Sequence, residues 1–299
     1  MAVAGCGTGS AAGSRSSATQ PSSTAADASA IRVVASTNVW GDIVATIGGD
    51  AVVVDSLISD PAQDPHSFEA GPRALLAMSK AALIVENGGG YDDFMETMHS
   101  ASHTSAPVIN AVTVSGKTAS PSGELNEHVW YDFPTAGAVA AAIASELSII
   151  DPAAAPAIHH NLTAFQGELA TLESTVAQIR SAHAGEAVAI TEPVPLYLVQ
   201  AAGLENRTPP AFSQAIEDGT DVPARVMAQT LALFSGHQVR ALVYNSQTTG
   251  AQTDQVIAAA KAHAIGTVAV TEVLPPGEHY ISWMRSNVAA LADALGGDA

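Results

Sequence analysis

Four short segments carry side chains able to bind a metal ion, each in a loop or at the end of an apolar strand. They are Asp64-Pro65-His66-Ser67-Phe68-Glu69, Glu127-His128-Val129-Trp130-Tyr131-Asp132, Thr191-Glu192-Pro193 and Thr271-Glu272-Val273-Leu274-Pro275-Pro276. In the first, the prolines of Asp60-Pro61 and Asp64-Pro65 stiffen a turn that can aim the His66 imidazole. In the second, His128 stands among aromatic residues and beside carboxylates, which gives a nitrogen ligand, a dry wall and a partner for the other ring nitrogen. Glu192 and Glu272 end apolar runs, the place where α/β proteins hold their ligands. Singly, each is as well explained by a surface histidine or by a carboxylate at a helix N-terminus. As a set, two neutral imidazoles and two carboxylates bring two negative charges to a doubly charged cation, and that balance permits its burial. The candidate metal ligands are therefore His66, His128, Glu192 and Glu272.

The elements that would position them read as repeated βα units. Strands are expected at Arg32 to Ala35, Val52 to Leu57, Ala82 to Val85 and Pro107 to Asn110, and again at Ala187 to Thr191, Ala241 to Tyr244 and Thr267 to Thr271. The first helix follows Thr37-Asn38 as a cap, carries Val39, Ile43, Val44 and Ile47 on one face, and stops at Gly48-Gly49. In the second series, helical patterns lie around Tyr197, at Val222 to Phe234, at Thr253 to Ala264 and at Ile281 to Leu295. Between the two series a helix opens after Asp151-Pro152 and runs to about Ala182. Its residues Ile158, Leu162, Phe165, Leu169, Leu172, Val176 and Ile179 follow one another in alternating steps of four and three, one apolar seam. At about 1.5 Å per residue it would reach about 40 Å, enough to span two lobes. The expected fold is α/β: two lobes with mainly parallel sheets joined by one long rigid helix, with the metal site in the cleft between them. The expected divisions are 1–30, 31–150, 151–183 and 184–299.

Composition agrees with a globular chain and narrows its partners. Of 299 residues, 47% are hydrophobic and 13% charged, and the formal net charge is −18. So acidic a chain without a basic stripe repels phosphate backbones, which argues against nucleic acid. No uninterrupted apolar run of about 18 residues is present to span a bilayer. The sole cysteine, Cys6, follows Val3-Ala4-Gly5 and resembles the lipobox of a bacterial lipoprotein, with Cys6 as the lipidated residue. Only Met1 and Ala2 stand where the rest of a signal peptide should precede it, so a truncated start is expected. Gly7 to Ala30, almost wholly Gly, Ser, Ala and Thr, reads as a flexible leash.

These residues resemble a known family, the metal-binding solute-receptor lipoproteins of ABC importers for zinc and manganese, from about Ile31 to Leu295. The family's Asp-Pro-His-x-aromatic-Glu segment is similar to Asp64 to Glu69, and its His-x-Trp-x-Asp segment to His128 to Asp132. Asn87-Gly88 matches a family turn, Glu192 with Tyr197 the third ligand position, and Tyr280-x-x-Trp-Met with Asn287 the closing helix. The fourth position usually holds Asp after Thr; here Thr271-Glu272 occupies it, one methylene longer. The resemblance implies an extracytoplasmic solute-binding protein rather than an enzyme, lipid-anchored at the cell membrane and monomeric. It would deliver one zinc or manganese ion, as transported ligand, to the ABC permease and ATPase subunits. Thr113 to Asn126 lacks the histidine-rich loop of some zinc receptors, so the site resembles the manganese-type pattern.

Other readings weigh less. A siderophore or corrinoid receptor needs aromatic and basic contacts, but aromatics are 5% and Lys plus Arg number 11. A zinc metalloenzyme would be expected to show HExxH or a comparable motif, which is absent, and a purely adhesive surface lipoprotein would make the four candidates accidental. Among the remaining histidines, His99 and His103 stand four apart on an expected helix, and His279 lies near Glu272 as a rival ligand. His159, His160, His183, His237 and His263 read as surface or helix-end residues.

Overall fold

The computed structural model describes residues 1, 30–63, 65–119, 125–248 and 250–296. Cys6, residues 7–29 of the segment read as a leash, and Asp64 lie outside the described residues.

Each expected series of strands forms one parallel sheet. In the first, β1 (Ile31–Thr37), β2 (Val52–Ile58), β3 (Leu83–Glu86) and β4 (Val108–Asn110) take the order β2-β1-β3-β4. In the second, β5 (Ala187–Ile190), β6 (Glu205–Asn206), β7 (Ala241–Asn245) and β8 (Gly266–Val270) take the order β6-β5-β7-β8. The two orders are the same. β5 is apolar throughout, and β3 is apolar up to its last residue, Glu86, because a parallel sheet is covered on both faces. Val34 and Ile84 face a cluster with Met78 and Met95, while their neighbours Val33 and Val85 face the other side. Likewise Leu242 packs with Phe212, Phe234 and Val256, and Val243 points the opposite way.

The helices of the first half are α1 (Asn38–Gly48), α2 (Pro72–Met78), α3 (Phe94–Ser102), α4 (Ala111–Ser115) and α5 (Phe133–Ile150). After α6 (Ala155–His183) come α7 (Leu196–Ala201), α8 (Pro210–Glu217), α9 (Ala224–Ser235), α10 (Ala251–Ala262) and α11 (Tyr280–Leu295). In α1 the expected face of Val39, Ile43, Val44 and Ile47 is buried, and the helix ends where Gly49 adopts φ 52°. Its cap differs from expectation. Thr37 makes no capping hydrogen bond, and Asn38 turns its side chain to the other lobe.

The connecting helix α6 is 29 residues long, and its seam is buried at Ile158, Phe165, Leu169, Leu172, Val176 and Ile179, with Leu162 partly buried. It packs on α1 and α5 of the first lobe and on α7 and α11 of the second. As a result one apolar cluster runs from Val33 and Val85 through that seam to Val188 and Val243. Two lobes thus share a core, and α11 reinforces it by returning to α1.

Helices α4, α5 and α8 and strand β6 exceed the sequence reading. The 18-residue α5 has the length and composition to cross a membrane, although its sequence is broken by Glu146. Here it is a core helix: Phe133, Ala136, Val139, Ala140, Ile143 and Leu147 are buried, and it packs on α6. α8 and the two-residue β6 are likewise additions.

Candidate metal centre

The carboxyl ends of both sheets face one cleft. From the first sheet, the chain leaving β2 forms a short turn, Pro65–Ser67, that presents His66. The chain leaving β3 forms the Asn87-Gly88 turn, where Asp92 accepts from the backbone N–H groups of Asn87 and Gly88 at 2.7 Å each. Gly88 has φ 75°, and a Cβ there would strike the Asn110 side chain at 2.2 Å. That turn holds Tyr91 in place and lets the Asn87 amide grip the carbonyl of Glu127 at 2.9 Å. From the second sheet, Glu192 follows β5, Asn245 ends β7, and Glu272 follows β8.

A cavity of about 970 Å³ opens between them, lined by His66, Glu127, Glu192, Glu217 and Glu272 among others. Of the four candidates, His66, Glu192 and Glu272 line it directly. His128 stands in its wall, fully buried, with Nε2 at 3.6 Å from Glu217 Oε1. His66 is the open member, and its Nε2 meets Glu127 Oε1 at 3.2 Å. Behind the imidazoles Tyr91 and Trp130 pack edge-on, with Tyr91 at 5.2 Å from His66 and Trp130 at 5.1 Å from His128 between ring centres.

The tautomer of His128 follows from its neighbours. Asn126 Nδ2 donates to the Pro193 carbonyl at 3.1 Å, so its Oδ1 faces His128 and accepts from Nδ1 at 2.8 Å. Nε2 then carries a lone pair toward the cleft and has no hydrogen-bond partner among the described residues. The residue orienting this ring is thus Asn126, where the sequence had suggested a carboxylate. Burial pushes the His128 imidazole down to about 4, so it is neutral at ordinary pH and ready to coordinate.

The carboxylates are crowded. Burial pushes Glu192 up to about 7 and Glu217 up to about 9, and in each case neighbouring carboxylates add to the effect. One oxygen of each, Oε2, is buried without a hydrogen-bond partner among the described residues. Glu272 is better held: Asn245 Nδ2 donates to its Oε1 at 2.6 Å and Tyr91 OH to its Oε2 at 3.3 Å. Its backbone is fixed as well, because Gln247 Oε1 accepts from the N–H groups of Glu272 and Val273 while Gln247 Nε2 donates to the Pro61 carbonyl at 3.1 Å. For Glu127, burial raises the carboxyl, but the hydrogen bond from His66 and the nearby imidazoles outweigh it and hold it below its ordinary value. The buried Nε2 of His128 and Oε2 atoms of Glu192 and Glu217, which have no donor among the described residues, form an environment that a cation would satisfy.

Sequence reasoning missed Glu217 and gave Glu127 only as a neighbour, yet potential ligand atoms of His66, Glu127 and Glu217 all lie within 4.8 Å of one another. The signal for α8 was available in Pro210, in the spacing of Phe212, Ala215 and Ile216, and in Gly219. Nothing in sequence aimed its last residue at the cleft. The rival His279 is elsewhere, exposed and paired with Asp42 Oδ1 at 2.7 Å. His103 leaves α3 in a left-handed conformation, φ 54°, so it does not share a helix face with His99. His159 and His160 are exposed, and His237 packs on His263 at 6.0 Å between ring centres.

Comparison with known proteins fits this geometry. The family described as "ZnuA: Zinc-uptake complex component A periplasmic" matches residues 33–294, nearly the whole described body. The chain belongs to this family. A curated relative, the metal ABC transporter substrate-binding lipoprotein ScbA of Streptococcus cristatus, is 29% identical over 166 residues, 52% of this chain and 53% of that protein. The chain thus spans about half the length of the curated relatives it matches. The periplasmic zinc-binding protein TroA of Treponema pallidum shares the fold, with a TM-score of 0.74 and 19% identity over 88% of this chain and 98% of that one. So does FpvC of Pseudomonas aeruginosa in complex with Mn2+, with a TM-score of 0.73 and 21% identity over 89% of this chain and 98% of that one. The two-lobed architecture of this family accounts for both four-stranded sheets and for α6.

Proposed function

We propose that this chain is the extracytoplasmic receptor of an ABC importer, capturing a divalent transition metal, zinc or manganese, and handing it to the permease and ATPase subunits. His66, His128, Glu192 and Glu272 are its ligands. The observation that carries this reading is that His66 from the first lobe and Glu192 and Glu272 from the second line one cleft, with the His128 Nε2 lone pair buried in its wall. None of the described residues lining the cavity is a lysine or arginine, which suits a bare cation better than an anionic chelate.

Capture would work by bridging. The lobes, 31–150 and 184–299 with 151–183 as the linking segment, share one core around α6, so binding moves loops and adjusts the lobes modestly. A lipid on Cys6 would tether the receptor, as a monomer, to the outer face of the membrane. Its role is carriage, without chemical change of the ion.

The test is metal analysis of protein prepared without a histidine tag, then competitive titration with zinc and manganese. One ion per chain is expected, with thermal stabilisation of about 2.7 kcal/mol when free metal stands a hundredfold above Kd. His66→Ala and Glu272→Ala should each weaken binding strongly. Unchanged binding in both variants would remove the site assignment, and turnover of an ester or peptide by the zinc-loaded protein would favour a metalloenzyme instead.

A further inference from the structure

Glu217 is the last residue of α8, a helix anchored from beneath by the buried side chains of Phe212, Ala215 and Ile216. That anchoring fixes where the Glu217 carboxylate sits. Its Oε1 lies 3.6 Å from His128 Nε2, and its carboxylate joins His66 and Glu127 in a set whose ligand atoms fall within 4.8 Å of one another. An ordinary ion pair does not explain the first contact. The Nδ1–H of His128 is committed to Asn126, so Nε2 presents a buried lone pair with no hydrogen-bond partner among the described residues, and the ionised form of Glu217 would face it acceptor against acceptor. A cation between them resolves the conflict. Around an ion with bonds of about 2.0–2.2 Å, neighbouring ligand atoms stand roughly 3–3.6 Å apart, and the His128 and Glu217 atoms stand at 3.6 Å.

We propose that Glu217 is an additional ligand of the captured ion and sets the receptor's metal preference. This rests on the receptor reading above. With Glu217 added to Glu192 and Glu272, three carboxylates and two imidazoles surround the ion. Such an oxygen-rich set of five donors suits a six-coordinate manganese(II), completed by water or a second carboxylate oxygen, better than a zinc(II) that settles for four. The longer Glu272 is consistent with this crowding. Its Oε1 and Oε2 are already steered by Asn245 and Tyr91, so it approaches from one side and leaves the α8 side to Glu217.

The experiment compares wild type with Glu217→Gln, which keeps the size of the side chain, and with Glu217→Ala, after circular dichroism shows that each is folded. Each is titrated with manganese(II) and with zinc(II) by calorimetry, and manganese coordination is counted by X-ray absorption. The expected result is that both variants lose manganese affinity at least tenfold more than zinc affinity, and that the oxygen count around manganese drops by one. An unchanged manganese-to-zinc affinity ratio, or an equal loss for both ions, would overturn the assignment of selectivity to Glu217. In either case stoichiometric binding by wild type, lost in a parallel His128→Ala arm, leaves the receptor reading standing. Wild type that binds neither ion overturns both.

Discussion

The contact between the lobes has two sides of opposite character. On the hinge side, donors and acceptors meet closely: Tyr131 OH donates to the Thr271 carbonyl at 2.7 Å, Tyr280 OH to the Trp130 carbonyl at 2.6 Å, and Asn38 exchanges two hydrogen bonds with the Leu274 backbone. Asp42 adds the backbone N–H of Tyr280 at 2.7 Å. On the cleft side, buried oxygens of Glu192 and Glu217 and the Nε2 of His128 have no hydrogen-bond partner among the described residues. The difference teaches where each task is done. Contacts that involve no ion hold the lobes together, which leaves the cleft free to remain unsatisfied until a cation arrives.

Breaking the hinge side should cost the most stability. Trp130, 1% exposed and packed against Tyr91 and His128, is expected to cost about 3–5 kcal/mol as Trp130→Ala in denaturant unfolding of the metal-free protein. A loss below about 1 kcal/mol would deny this wall its structural role. On the cleft side, His128→Ala should weaken metal binding by more than the about 100-fold that an orienting residue can account for. Asn126→Ala, which keeps the ligand but frees the tautomer, should cost about 10-fold to 100-fold in a competitive titration. Equal losses in the two variants would erase the distinction between ligand and orienting residue. Removing one hinge hydrogen bond in Tyr280→Phe should cost about 0.5–1.5 kcal/mol of stability with metal affinity nearly unchanged.

A further expected effect is a slope with pH. Glu217 is raised to about 9 and Glu192 to about 7, so between the ordinary carboxyl value and those values the folded metal-free protein holds protons that the unfolded chain has released. Its stability therefore falls as pH rises through that window. His128, lowered to about 4, works in the opposite sense, but its contribution is complete above the ordinary imidazole value. From pH about 7 to about 9 the fall should remain, shrink in Glu217→Gln, and vanish with saturating zinc, as read by chemical denaturation. A flat profile in the metal-free protein would mean that these carboxylates are already ionised.

How much of this was legible in sequence depends on whether the signal was periodic or convergent. The seam of α6 is visible because residues three and four apart must lie on one face, and the sheets are visible because strands buried on both sides read as short apolar runs. α5 escaped notice because its Ala-rich stretch is apolar on nearly every face, so no period stands out. The ends of β5 and β8 pointed to Glu192 and Glu272, since a carboxylate closing an apolar strand is a local pattern. Glu217 closes a short helix, and only the packing of Phe212 and Ile216 under it turns its carboxylate to the cleft. Asn38 is the converse case, a residue whose local pattern said cap while its partner lay 236 positions away.

Gln247 spans the divide with a single amide, one end on the backbone of Glu272 and Val273 and the other on the carbonyl of Pro61. Parting the lobes by a few ångströms would stretch one of those grips beyond hydrogen-bond reach. The aim of Glu272 is thereby tied to how far the cleft is shut, and a pull on the loop that carries Pro61 reaches the backbone that sets that carboxylate.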